Sequence, residues 1–227
     1  MQDSESRQID RSQRVHEFTA ARSASFPAGS RIAELIAEHD AVSLEAEQLA
    51  AKQAAAVLDW QEQTEQKNAA IKSLREEMKL ISQTARSINK QFPGIADQFK
   101  MPRSSDQSVL NHGRGYIESA TPIAAQFTSR GLPATFPADM QAIIERVEAA
   151  EARQTQAFAH KTNMTASLVA ALKRESDIVR EMRAIVRNIF RQDPGTLAEW
   201  EGASRVEKAP KKATKKKTAT PSTTPKP

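Results

Sequence analysis

Cysteine is absent from the 227 residues. That excludes disulfides, thiolate nucleophiles and cysteine-ligated zinc. Glycine occurs only 7 times and aromatic residues make up 5% of the chain. Too few turns and too few ring-bearing strand formers remain for a sheet protein. No apolar run approaches the roughly 20 residues that cross a bilayer. The first eighteen residues, MQDSESRQIDRSQRVHEF, are polar and of mixed charge, unlike a secretory leader. These absences lead us to expect a soluble, cytoplasmic protein without a membrane span.

Alanine, glutamate, glutamine, lysine, arginine and leucine fill the chain instead. Their side chains lose little rotamer freedom in a helix, so the composition predicts an all-α fold. Glycine and proline are also confined in position. Neither occurs from Ser30 to Phe92, nor from Ala138 to Asp193. Each interval predicts one long helix. In the first, Ile32, Leu35, His39, Val42, Ala46, Leu49, Gln53, Ala56, Trp60, Thr64 and Lys67 step by threes and fours. Ile71, Leu74, Met78, Ile81, Ala85, Ile88 and Phe92 continue the series. This 3.5-residue spacing belongs to a helix that packs lengthwise on another. The second interval repeats it with Ile144, Val147, Gln154, Phe158, Leu168, Leu172, Val179, Met182, Val186 and Ile189. Lys161 and Glu175 are polar members of that seam. An unbroken helix over the first interval would be roughly 90 Å long at 1.5 Å per residue, which predicts an elongated bundle. The polar run Gln61–Asn68 leaves open whether that helix folds back on itself.

Shorter helices are expected around Arg7–Ala24 and from Ser104 to about Arg130. The second would be opened by a capping box on Ser104 and Gln107, loosened at Gly113 and Gly115, and bent at Pro122.

A shift of 101 residues lays AAIKSLREEMKLISQTARSINKQFPG (69–94) over AALKRESDIVREMRAIVRNIFRQDPG (170–195). Both copies stop at Gln-x-Pro-Gly, and Phe99 falls on Trp200, Gln53 on Gln154. We read a duplicated hairpin, a short helix feeding a long one, twice. Residues 1–104 form the first helical repeat. Residues 105–204 form the second, packed with the first as one bundle, and 205–227 form a disordered tail. The stretches TARSINKQFPGIADQFKMPRS (84–104) and IVRNIFRQDPGTLAEWEGASRVEKAP (185–210) resemble segments of a family of bacterial all-helical proteins without an assigned activity. The resemblance implies the helical fold over about residues 30–210 and supplies no function.

Candidate chemistry is sparse. His16, His39, His112 and His160 show no i, i+4 pair and no His-Glu-x-x-His. His39, beside Asp40 on the seam, is read as a packed interface histidine. Asn111–Tyr116 is glycine-rich but lacks the Gly-Lys-Ser/Thr ending of a phosphate loop. Trp60 is read as an interface knob, and Trp200 as packing back after the Pro194-Gly195 turn. No enzyme constellation, metal site, cofactor or small-molecule ligand is evident.

Charge is concentrated at one end. From Arg205 onward eight residues are basic and one, Glu207, is acidic; the preceding 204 residues carry 25 basic and 27 acidic groups. The run PKKATKKKTATPSTTPKP resembles in composition the Lys-Pro-Ala tails of linker histones and of some bacterial histone-like proteins. Lys208, Lys211, Lys212, Lys215, Lys216 and Lys217 are its candidate contacts to nucleic acid, made by counterion release and without base readout. Two functions follow as expectations. The first is a non-enzymatic helical scaffold whose long faces, coiled-coil-like, pair with a second copy or another helical protein. The alternative is a nucleoid- or RNA-associated protein anchored by the tail.

Overall fold

A computed structural model describes residues 3–102 and 105–207. The described residues form helices joined by turns and short loops, without a strand. The helices are α1 (Asp3–Ala21), α2 (Arg31–Ile88), α3 (Ile95–Gln98), α4 (Asp106–Ala120), α5 (Ala124–Thr128), α6 (Phe136–Ile189) and α7 (Pro194–Ala203).

The long intervals without breakers each form one helix, of 58 residues in α2 and 54 in α6. The polar run Gln61–Asn68 lies inside α2 and does not interrupt it. Three of the segments between helices carry a glycine with positive φ: Gly29 at 76°, Gly94 at 97° and Gly131 at 92°. Only glycine adopts that conformation without strain. Asn89 holds the first Pro-Gly stop closed, its Oδ1 accepting from Gly94 N at 2.9 Å and Ala96 N at 3.2 Å. At the second stop Asp193 caps α7, accepting from Thr196 N at 3.1 Å, with Pro194 in the first turn.

The expected short helices form, with altered ends. The first runs Asp3–Ala21, followed by a 3-10 turn at Ser23–Ser25. The second starts at Asp106 behind Ser105, whose side chain makes no capping bond. Ser104, the expected cap, lies outside the described residues. Pro122 sits in a 3-10 turn that separates α4 from α5, so the bend becomes a break.

Packing gathers the described residues into two units, one formed by residues up to 47 with those from 169 on, the other by those between 48 and 168. In the first, Val15 and Phe18 of α1 meet Ile32 and Leu35 of α2, Val179, Met182 and Val186 of α6, and Trp200 of α7. Trp200 is fully buried, its ring 5.2 Å from that of Phe18. The Pro-Gly stop thus folds α7 back onto its own unit.

In the second unit, Leu74, Met78, Ile81, Ala85 and Ile88 of α2 line a core with Phe99. Val109, Leu110 and Tyr116 of α4, Phe127 of α5, and Phe136, Met140 and Ile144 of α6 complete it. Phe99 bridges Tyr116 and Phe127 at ring separations of 5.1 and 5.4 Å.

Three members of the expected seam point outward: Phe92, Phe158 and Ile189 are 45, 53 and 39% exposed. Phe92 lies beyond the last residue of α2. Ile189 ends α6, where the core has already passed to Val186. At the level of Phe158, α6 buries its neighbour Ala157 instead.

Candidate functional site

The first unit buries charge where a helical core is usually apolar. His39 and Glu175 are fully buried, and Arg11 and Ser12 nearly so. α1 supplies Arg11 and Ser12 on its inner face, α2 supplies His39 and Ser43 one turn apart, and α6 supplies Glu175 and Ser176. The Arg11 guanidinium pairs with Glu175 Oε2 and donates to Ser176 Oγ at 2.8 Å. Ser12 Oγ lies in hydrogen-bond contact with Ser43 and 3.4 Å from His39 Nε2. Glu175 Oε1 stands 3.4 Å from the same nitrogen but forms no hydrogen bond there, and Arg11 Nε also lacks a partner. The other ring nitrogen of His39 faces Asp40 Oδ1 at 3.4 Å, and Asp40 Oδ1 is 2.9 Å from His16 Nδ1 at the surface. Polar atoms therefore run from solvent through His16 and Asp40 to the buried imidazole. Ser12, His16, Asp40 and Ser43 also line a surface depression of about 260 Å³.

The order Ser12, His39, Asp40 has the sequence of groups found in hydrolytic triads. Acyl transfer also needs hydrogen-bond donors aimed at a developing oxyanion. Ser12 and His39 sit mid-helix, where backbone N–H groups are engaged by carbonyls four residues back. The cluster can therefore fix α1, but these mid-helix amides offer it no oxyanion donors. Among the described residues no group of three or more histidine, aspartate or glutamate side chains is placed to hold a metal ion.

A shift of 101 residues leads to a set in the second unit that is apolar except at Arg11, which falls on the exposed His112. Moving 101 residues along, Ser12 becomes Gly113, His39 Met140, Ser43 Ile144, and Glu175 answers to Leu74. Those four meet as well: a Cβ on Gly113 would lie 3.3 Å from Ile144 Cδ1 and 3.5 Å from both Leu74 Cδ1 and Met140 Cε.

The sequence pointed to His39 and Glu175 separately. It did not single out Arg11 or Ser12, whose helix has weak apolar periodicity. The signal that could have found Ser12 is the shift of 101 applied to the short helices, which lays it on Gly113; Arg11 falls on His112, another polar residue, and gives no such signal.

Two further features lie elsewhere. In the second unit Trp60 is half-buried, its ring 6.3 Å from that of Phe158, with Lys161 Nζ 3.6 Å above the Trp60 ring. Trp60 is thus an interface residue, as its spacing predicts. In the first unit Arg183, Arg187 and Arg205, with Glu201 and Gly202, line a notch of about 310 Å³. Arg187 is paired with Glu201 at 3.1 Å. The candidate tail contacts Lys208, Lys211, Lys212, Lys215, Lys216 and Lys217 lie outside the described residues.

Among the described residues no helix is long and apolar enough to cross a membrane. Comparison with family models, with curated proteins and with solved structures finds no match.

Proposed function

We propose that the chain is a duplicated helical hairpin that works without catalysis, through contact between its long helix faces and those of a second copy. The observation that supports this is the sparse cover over the middle of the α2–α6 pair in the second unit. Between residues 54 and 70 α2 buries only Ala56, and between 151 and 167 α6 buries only Ala157. Leu58 and Phe158 are 66 and 53% exposed there. A pair of helices that leaves large apolar side chains in water gains by covering them, at about 25 cal/mol per Å². The duplication is supported by the helix ends: α2 stops at Ile88 and α6 at Ile189, the same 101 residues apart as the sequence match. Sedimentation of the full chain tests the association. A dimer that grows with concentration is expected, and Phe158→Asp should abolish it while leaving helix content unchanged. A monomer at every concentration refutes self-association.

A second reading, nonspecific binding of nucleic acid, is favoured by the arginine notch. Arg183 and Arg205 stand exposed where the lysine run begins, so basic side chains of the folded unit continue those of the tail. Six lysine–phosphate contacts predict a salt slope of about −5 to −6 on duplex DNA, and two arginines would steepen it by about 2. Gel shifts on the full chain, and on one with the six tail lysines changed to glutamine, decide it. No retardation of either at moderate salt removes this reading, and equal retardation of both removes the tail lysines as its contacts.

A further inference from the structure

α1 and α4 occupy corresponding places in the two repeats, yet they are held by different forces. The buried residues of α4 are Val109, Leu110, Gly113, Tyr116 and Ala120. α1 buries only two large apolar side chains, Val15 and Phe18, beside Glu5, Arg11, Ser12 and Thr19. Its remaining attachments are polar: Arg14 to the Arg205 carbonyl at 2.9 Å, His16 to Asp40, and Arg22 to Glu199.

We infer that α1 is a releasable cover, which opens while the rest of the fold stays intact, and that the buried cluster keeps its docking weak. Taking Arg11 and Glu175 out of water carries a desolvation cost that their attraction repays only if every remaining polar atom is satisfied. Here Arg11 Nε and Glu175 Oε1 are not. Opening returns both groups, and His39, to water. An apolar packing at the corresponding place, Gly113 against Leu74, Met140 and Ile144, has no such gain on opening. The segment after α1 suits a hinge: it contains Pro27 and Gly29, and Gly29 has φ of 76°. Release uncovers the groove formed by Ile32, Leu35, Val179, Met182 and Val186, which the closed state seals.

Hydrogen exchange on the full chain tests the cover. After correction for intrinsic rates, amides of α1 are expected to exchange at least about tenfold faster than those of α4. Glu175→Gln should speed α1 by at least about another tenfold and leave α4 unchanged. The apolar set Arg11→Met, Ser12→Ala, His39→Met, Ser43→Ala and Glu175→Leu should slow α1 by at least about tenfold, since replacing a buried ion pair by apolar groups commonly stabilises. Equal protection of α1 and α4 in the unchanged chain overturns the inference. So does loss of structure throughout the chain in Glu175→Gln, or an apolar variant that fails to slow α1 or loses its helix content.

Discussion

Gln53 on α2 donates to Thr165 Oγ1 on α6 at 3.2 Å, and the same bond recurs with the partners exchanged, Gln154 donating to Thr64 at 3.0 Å. Eleven residues forward on one helix correspond to eleven back on the other, so the pair is antiparallel in this unit and its register is marked twice. The marks cost stability, because Gln53 is buried and its Oε1 has no partner. Gln53→Leu combined with Gln154→Leu is expected to raise the melting temperature by a few degrees, each leucine adding burial that outweighs a lost bond of about 1 kcal/mol. Thermal unfolding followed by circular dichroism measures it. A lower melting temperature would show that the amides contribute more than register.

Ile81 and Ile88 are fully buried against the α4 and α6 side chains of the second unit. Ile81→Asp or Ile88→Asp places a carboxylate among apolar groups. A loss above about 4 kcal/mol is expected, enough to unfold a domain of ordinary stability. Helix content and sedimentation that match the unchanged chain in either variant would contradict this packing.

These two cases show what the sequence makes readable. A 54- to 58-residue helix declares itself, because the absence of glycine and proline and a repeating apolar step are both local signals. Gln53 and Gln154 could be recognised as unusual, but their threonine partners depend on the register of two helices far apart in the chain. The unit 1 cluster was harder still. Arg11 and Glu175 are 164 positions apart, and each alone reads as a solvated face of a charged helix. Phe158 failed in the other direction: apolar and in register with the seam, it stands exposed while its neighbour Ala157 is buried.

The helix stops give a separate test. Gly94 has φ of 97°, a conformation in which a Cβ is strained although nothing lies within 4 Å of where it would stand. Gly94→Ala should therefore cost about 1 kcal/mol through the backbone alone. Asp193 at the other stop caps α7, and the Thr196 backbone N–H and hydroxyl hold its carboxyl below the usual range. Asp193→Ala should lower stability near neutral pH, since it removes the cap. Its effect should shrink in acid, because a carboxyl whose pKa is lowered by folding contributes stability that disappears as pH falls through that value. Denaturant titrations at two pH values measure both, and a pH-independent cost for Asp193→Ala would argue against the cap.

Tyr116 supplies the opposite titration. Its ring is buried against Phe99, and burial pushes the phenol from 10.0 up to about 12. The folded chain therefore keeps a proton that the unfolded chain releases above its ordinary phenol value. With fewer protons bound in the unfolded state, stability falls as pH rises between about 10 and about 12, and is unaffected by this group below that window. Tyr116→Phe removes the titrating oxygen and keeps the ring against Phe99. Near neutral pH the variant should lie within about 1 kcal/mol of the unchanged chain, because the hydroxyl's one polar neighbour, Ser82, is not placed for a well-formed hydrogen bond. At pH near 11 it should be the more stable of the two, since it no longer favours ionised, unfolded chains. Chemical unfolding at neutral and alkaline pH gives the comparison, and two curves that fall in parallel with pH would show that Tyr116 is accessible to solvent in the folded protein.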